Sequence, residues 1–112
     1  MKKIFALLFT GFLIFLSSAI ADQNKGAEKM EIYGGKKGKV HFPHRRHQKN
    51  LVDCNKCHDM FPQLSGTIEN MKTEGKLKKK AVMNKLCLNC HRVEKKAGRP
   101  FGPLKCSECH VK

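Results

Sequence analysis

The sequence predicts a small, irregular, mostly α-helical domain with a short N-terminal two-stranded antiparallel hairpin, built around bound groups in place of an apolar core. Three observations predict it. In this 112-residue chain, fewer than a quarter of the residues after Ala21 are Val, Ile, Leu, Met, Phe or Tyr, too few to close a core unaided. Six cysteines fall in three pairs of identical spacing: Cys54 and Cys57, Cys87 and Cys90, Cys106 and Cys109. Two short alternating segments, 30–33 and 39–42, flank a turn rich in glycine and lysine at 34–38, which reads as a hairpin.

Residues 1–21 read as a secretory signal peptide. Lys2 and Lys3 precede an apolar run from Ile4 to Leu16, which ends in small residues and an Ala-x-Ala close at Ala21. That run is shorter than the roughly 20 residues a spanning helix needs. Cleavage after Ala21 is expected, leaving one exported domain from Asp22 to Lys112. The formal net charge of +14 stays strongly positive without the two leader lysines. It points to acidic partners or an anionic surface, and export argues against nucleic acid.

After the hairpin, Pro43 suits the first position of a short helix. The stretch 62–75 is polar, contains Gly66 and reads as mostly loop. Residues 76–92 form the best helix candidate: Leu77, Lys80 or Ala81, and Leu88 fall near one face, and no Gly or Pro interrupts them. Gly98, Pro100, Gly102 and Pro103 then predict a rigid irregular link to the last cysteine pair.

The cysteine pairs carry the chemistry. Each is followed at once by a histidine: His58, His91 and His110. Cys-x-x-Cys-His is the attachment signature of c-type haem, with two thiols bonded to one porphyrin edge and the adjacent imidazole as proximal iron ligand. Disulfides would place no histidine after each pair, and zinc would want four ligands per site. Three covalent haem c groups are therefore expected, and they would supply the missing core. The remaining histidines, His41, His44 and His47, precede no cysteine pair and are candidates for distal positions. His44 and His47, three apart, share one side of a helical turn and could serve two different haems.

Phe42-Pro43-His44-Arg45-Arg46-His47-Gln48, followed by three haem motifs, resembles the three-haem cytochrome c7 group, a shortened relative of four-haem cytochrome c3 within the class III cytochromes. The resemblance covers residues 31–112. It implies a c3/c7-like multihaem fold and a periplasmic electron carrier of anaerobic, metal- or sulfur-reducing bacteria. It also implies that His44 ligates the haem of Cys54 and Cys57, and His47 that of Cys87 and Cys90. The family pattern places the third distal histidine four residues before the second motif, where this sequence has Met83. Methionine is itself an axial ligand, and His/Met ligation raises the reduction potential. His41 is the rival, although the alternation of 40–42 turns it away from the face of Val40 and Phe42. Met71 or an open iron are further alternatives. The motif starts are 33 and 19 residues apart, which predicts enlarged loops.

The expected function is electron transfer by a monomer, without enzymatic activity. Lys95, Lys96, Lys105 and Lys112 would steer redox partners with acidic surfaces, such as membrane-bound or outer-membrane multihaem cytochromes. The alternative is a ligand sensor or reductase acting at one open iron. Haem serving only as structural filler in a binding module is a third reading.

Overall fold

The computed structural model describes residues 25–112; the expected signal peptide lies outside them. The hairpin forms as β1 (Met30–Ile32) and β2 (Lys39–Phe42), joined through a single 3₁₀ turn at Gly35–Lys37. Met30 pairs with Phe42, Glu31 with His41 and Ile32 with Val40. The sheet has a third strand that the pattern does not announce. β3 (His110–Val111) pairs antiparallel with β2, Val40 opposite His110, so the chain end returns to the N-terminal hairpin. Two residues are too short to show an alternation, which is why this strand is silent in the sequence.

Helix α1 (His44–Leu51) follows at once, with Pro43 in the capping position rather than inside the first turn. Its half-buried positions include His44, His47, Gln48 and Leu51, the i, i+3, i+4, i+7 stripe of an amphipathic helix. Two histidines thus occupy the face where an ordinary helix carries apolar side chains. Gln48 donates its side-chain amide to the Lys25 carbonyl at 2.6 Å and pins the segment before β1 against the helix.

Helix α2 (Asn55–His58) is one turn formed by the first haem motif itself. Helix α3 (Thr67–Thr73) corrects the expectation of loop over 62–75. Gly66, at φ 72°, starts it, and Ile68 and Met71 share its half-buried face. The long helix also begins later than expected. Residues 76–80 are non-helical, since Gly75 at φ 72° turns the chain and four closely spaced lysines there repel one another. Helical structure runs through 81–96 and includes a π-turn over Met83–Cys87, in which the Leu88 amide bonds the Met83 carbonyl. Helix α4 (Leu88–Lys96) continues from it. The link over 97–105 is irregular, as its glycines and prolines predict, and α5 (Cys106–Cys109) leads directly into β3.

Only Leu77 and Val82 are buried hydrophobics among the described residues. Leu77 donates its amide to the Met71 carbonyl and ties the lysine-rich turn to α3. No helix of the described residues is long and apolar enough to cross a membrane.

A candidate three-haem site

The three Cys-x-x-Cys-His motifs sit in three different local structures. The first is an isolated helical turn, the second straddles the junction of the π-turn and α4, and the third is a turn that runs into a strand. All six cysteines are free, and in each pair the first residue is exposed and the second half-buried, although the Cys87 thiol itself points into protein. Surrounding protein pushes the Cys57, Cys87 and Cys109 thiols above the ordinary range by desolvation. Cys90 adds to this at Cys57, while Cys57 and Cys109 add to it at Cys87. Sulfurs from all three motifs therefore approach one another, and the motifs converge on one region.

The histidines are arranged more specifically. The rings of His44 and His58 lie 6.3 Å apart, and so do those of His47 and His91. Metal–imidazole nitrogen bonds are about 2 Å long, so two rings on opposite sides of one ion stand roughly 6 Å apart, centre to centre. The first pair is mutually perpendicular at 89°, and the second is inclined by 32°. Phe42 packs 4.3 Å from His47 and 6.0 Å from His44, standing beside both pairs. Phe61 meets His58 edge-on at 5.3 Å.

Hydrogen bonds separate five histidines from the sixth. His44 donates from Nδ1 to the Ala27 carbonyl (2.9 Å), His47 to Pro43 (3.0 Å) and His58 to Phe61 (3.3 Å). His91 donates to Pro103 (2.7 Å) and His110 to Gly38 (3.0 Å). A carbonyl can only accept, so each bond fixes the proton on Nδ1 and leaves the Nε2 lone pair for a metal, the usual arrangement behind a ligating imidazole. His41 makes no such bond. It is exposed on β2, its Nδ1 3.7 Å from Glu31, while Val40 and Phe42 turn inward.

Two glycines that sequence reasoning passed over give the rings room. A Cβ on Gly102 would overlap the His91 ring, and one on Gly34 would lie 2.6 Å from His110 Nδ1. Gly102 immediately precedes Pro103, whose carbonyl holds His91, so the spacing of Gly and Pro in that link was the available signal.

His110 has no ring partner among the described residues. Met83 is half-buried at the start of the π-turn. Of the expected docking lysines, Lys95 lies 5.5 Å over the Phe101 ring. The donor set fits three c-type haems: paired thiols beside each proximal imidazole, free Nε2 positions, and almost no apolar core of the chain's own. Zinc fits poorly, since no group of three or more His, Cys, Asp or Glu among the described residues is placed to hold a metal ion.

The fold and the site together define a small multihaem c-type cytochrome. The sequence profile of the class III cytochrome c family matches residues 17–110, and the chain belongs to that family. It is 39% identical over 80 residues to cytochrome c7 of Geobacter metallireducens, covering 71% of this chain and 72% of the relative. It is 31% identical over 80 residues to cytochrome c3 of Desulfuromonas acetoxidans, covering 71% of this chain and 93% of that one. Among solved structures it resembles the triheme cytochrome PpcA of Geobacter sulfurreducens, with 36% identity, 77% of this chain and 100% of that chain covered, and a TM-score of 0.53. PpcC, a cytochrome c7 of the same organism, matches at 29% identity and a TM-score of 0.51, covering 77% of this chain and 99% of that chain. The chain thus carries three c-type haems on the c7 fold, and electron transfer is the function this family implies.

Proposed function

We infer that this protein is a periplasmic electron carrier of anaerobic respiration, with two haems held between paired histidines and a third held by His110 and Met83. The two ring pairs at 6.3 Å carry the reading. In it, His44 and His58 hold the haem of Cys54 and Cys57, while His47 and His91 hold that of Cys87 and Cys90. Cys106, Cys109 and His110 hold the third. Bound haem supplies a reversible one-electron couple whose potential follows its axial ligands. The chain's own contribution is to fix the imidazoles through their Nδ1 bonds, exclude water with Phe42 and Phe61, and keep the groups close. Export by residues 1–21, cleaved after Ala21, delivers the carrier to acidic redox partners steered by its lysines.

The visible spectrum of the oxidised holoprotein tests the third haem. A weak red band of sulfur-ligated ferric haem, lost in Met83→Ala, is the expected result. One observation favours a second reading: the absence of a ring partner for His110 also suits an open iron acting as a ligand sensor or reductase. A high-spin ferric component in the wild type, with carbon monoxide bound to one third of the haems on reduction, would bring that reading forward.

A further inference from the structure

The face of α1 opposite the histidine pair has a use that haem binding leaves unassigned. Lys29, Arg45, Arg46 and Lys49 line an open hollow of about 270 Å³ there, and Glu28 is the single carboxylate in its wall. Along the helix, positions 45, 46 and 49 lie away from the stripe of His44, His47, Gln48 and Leu51. None of the four cations makes a side-chain hydrogen bond or ion pair among the described residues. Other lysines are unpaired too, and Lys39, Lys76 and Arg99 each hold a carboxylate at 2.6–2.7 Å, but only here do four cations line one hollow with a single carboxylate among the described residues.

Four unneutralised cations around one hollow repel one another, and a bound anion relieves that repulsion. Guanidinium forks match carboxylate and phosphate oxygens two at a time. The concavity suits a small anion, whereas a protein partner needs a much broader surface, on the order of 800 Å² on each side. The geometry points to a site for a small multivalent oxyanion, of the polycarboxylate or phosphate class, whose occupancy is linked to the oxidation state of the haems on the other face of α1.

The linkage rests on the reading of His44 and His47 as ligands. A helix with its side chains is about 10 Å across, so the anion would lie near both irons. Each one-electron reduction removes one positive charge there and breaks no bond. The oxidised protein therefore binds the anion more tightly, and by reciprocity the anion lowers the reduction potentials of those two haems. Threefold tighter binding to the oxidised form corresponds to a fall of about 28 mV for one haem at saturation.

The test titrates citrate and inorganic pyrophosphate separately into the holoprotein at fixed ionic strength, oxidised and then reduced, with calorimetry as the readout. The expected result is saturable one-to-one binding of at least one anion, about threefold tighter to the oxidised form. Affinity should fall at least tenfold in R45Q/R46Q, rise in E28Q, and stay unchanged in K105Q. Which anion binds better distinguishes the carboxylate from the phosphate class. No saturable binding at millimolar concentration, or an equal loss in K105Q, overturns the site. Equal affinity in both oxidation states overturns the linkage. Failure of the ligand reading is read separately, as a fully low-spin spectrum in both H44A and H47A.

Discussion

The region around α1 and the region around the last haem motif solve one problem in different ways. At α1, two histidines on one helical face each meet the histidine of a Cys-x-x-Cys-His motif at 6.3 Å, ring centre to ring centre, the spacing that a metal held between two imidazoles would need. At the last motif, His110 is anchored by sheet pairing with Val40 and by its bond to Gly38, and among the described residues no ring stands against it. The five-residue motif is the same in both, yet one copy is a free helical turn and the other runs into a strand. The motif therefore specifies attachment, while the surrounding fold decides what faces its histidine.

The largest expected effect breaks the comparison outright. Among the described residues only Leu77 and Val82 are buried hydrophobics, so a haem held between His47 and His91 would stand in for core between α1 and α4. Replacing Cys87 and Cys90 by serine should abolish accumulation of holoprotein. Replacing Cys106 and Cys109 should leave a detectable two-haem protein, because the paired region keeps both its haems. Intact-mass analysis of periplasmic extracts checks this, and equal loss from both variants would show that the regions are energetically inseparable.

Next in size is Met83→His, which should make the two regions chemically alike. The third haem should drop in potential by on the order of 0.1 V, well inside the range of about 0.8 V that axial ligands command. Potentiometric titration followed by visible absorbance resolves the change. Three haems that already titrate together, and do not move in the variant, would remove Met83 from the ligand set.

The glycine seats give a smaller and more local contrast. Gly102→Ala should push the His91 ring off its Pro103 bond and cost about 1–3 kcal/mol, the usual penalty of overpacking. Gly34→Ala should disturb His110 and the hairpin turn together, because its Cβ meets the Gly38 carbonyl as well as the His110 ring, and leave His91 in place. Heteronuclear shifts of the axial histidines should move at one haem in each variant. Movement at all three in either one would mean that the seats are shared.

Much of this contrast could be read in the sequence, because haem attachment depends on covalent spacing. Cys-x-x-Cys-His and the three-residue separation of His44 and His47 are local patterns, and the hairpin has a strong turn. The fold class, the family and the three haems all follow from them. Long-range pairings were silent: β3 joins β2 across more than sixty residues, and no periodicity announces it. Helix α3 is hidden by its polar composition, and the long helix starts later than its apolar spacing predicts because repulsion within the lysine run over 76–80 opposes helix there. The Nδ1 bonds that distinguish five histidines from His41 exist only once the chain has folded.

The smallest effect concerns the link between the two regions. Arg99 grips Glu94 through two bonds of 2.6 and 2.9 Å, joining α4 to the segment that leads to the last motif. The bond from Arg99 holds the Glu94 carboxyl below its ordinary range. A depressed carboxylate contributes stability that is present above its unfolded value and lost as pH falls through the folded one. The pair is exposed and screened, so its effect is small. Arg99→Gln should lower the melting temperature slightly at neutral pH, and the difference from wild type should close as pH falls below the ordinary carboxylate range. Added salt should shrink the same difference at neutral pH. A gap that persists in acid would assign the effect to packing of the arginine stem, and the two regions would then be joined by van der Waals contact rather than by charge.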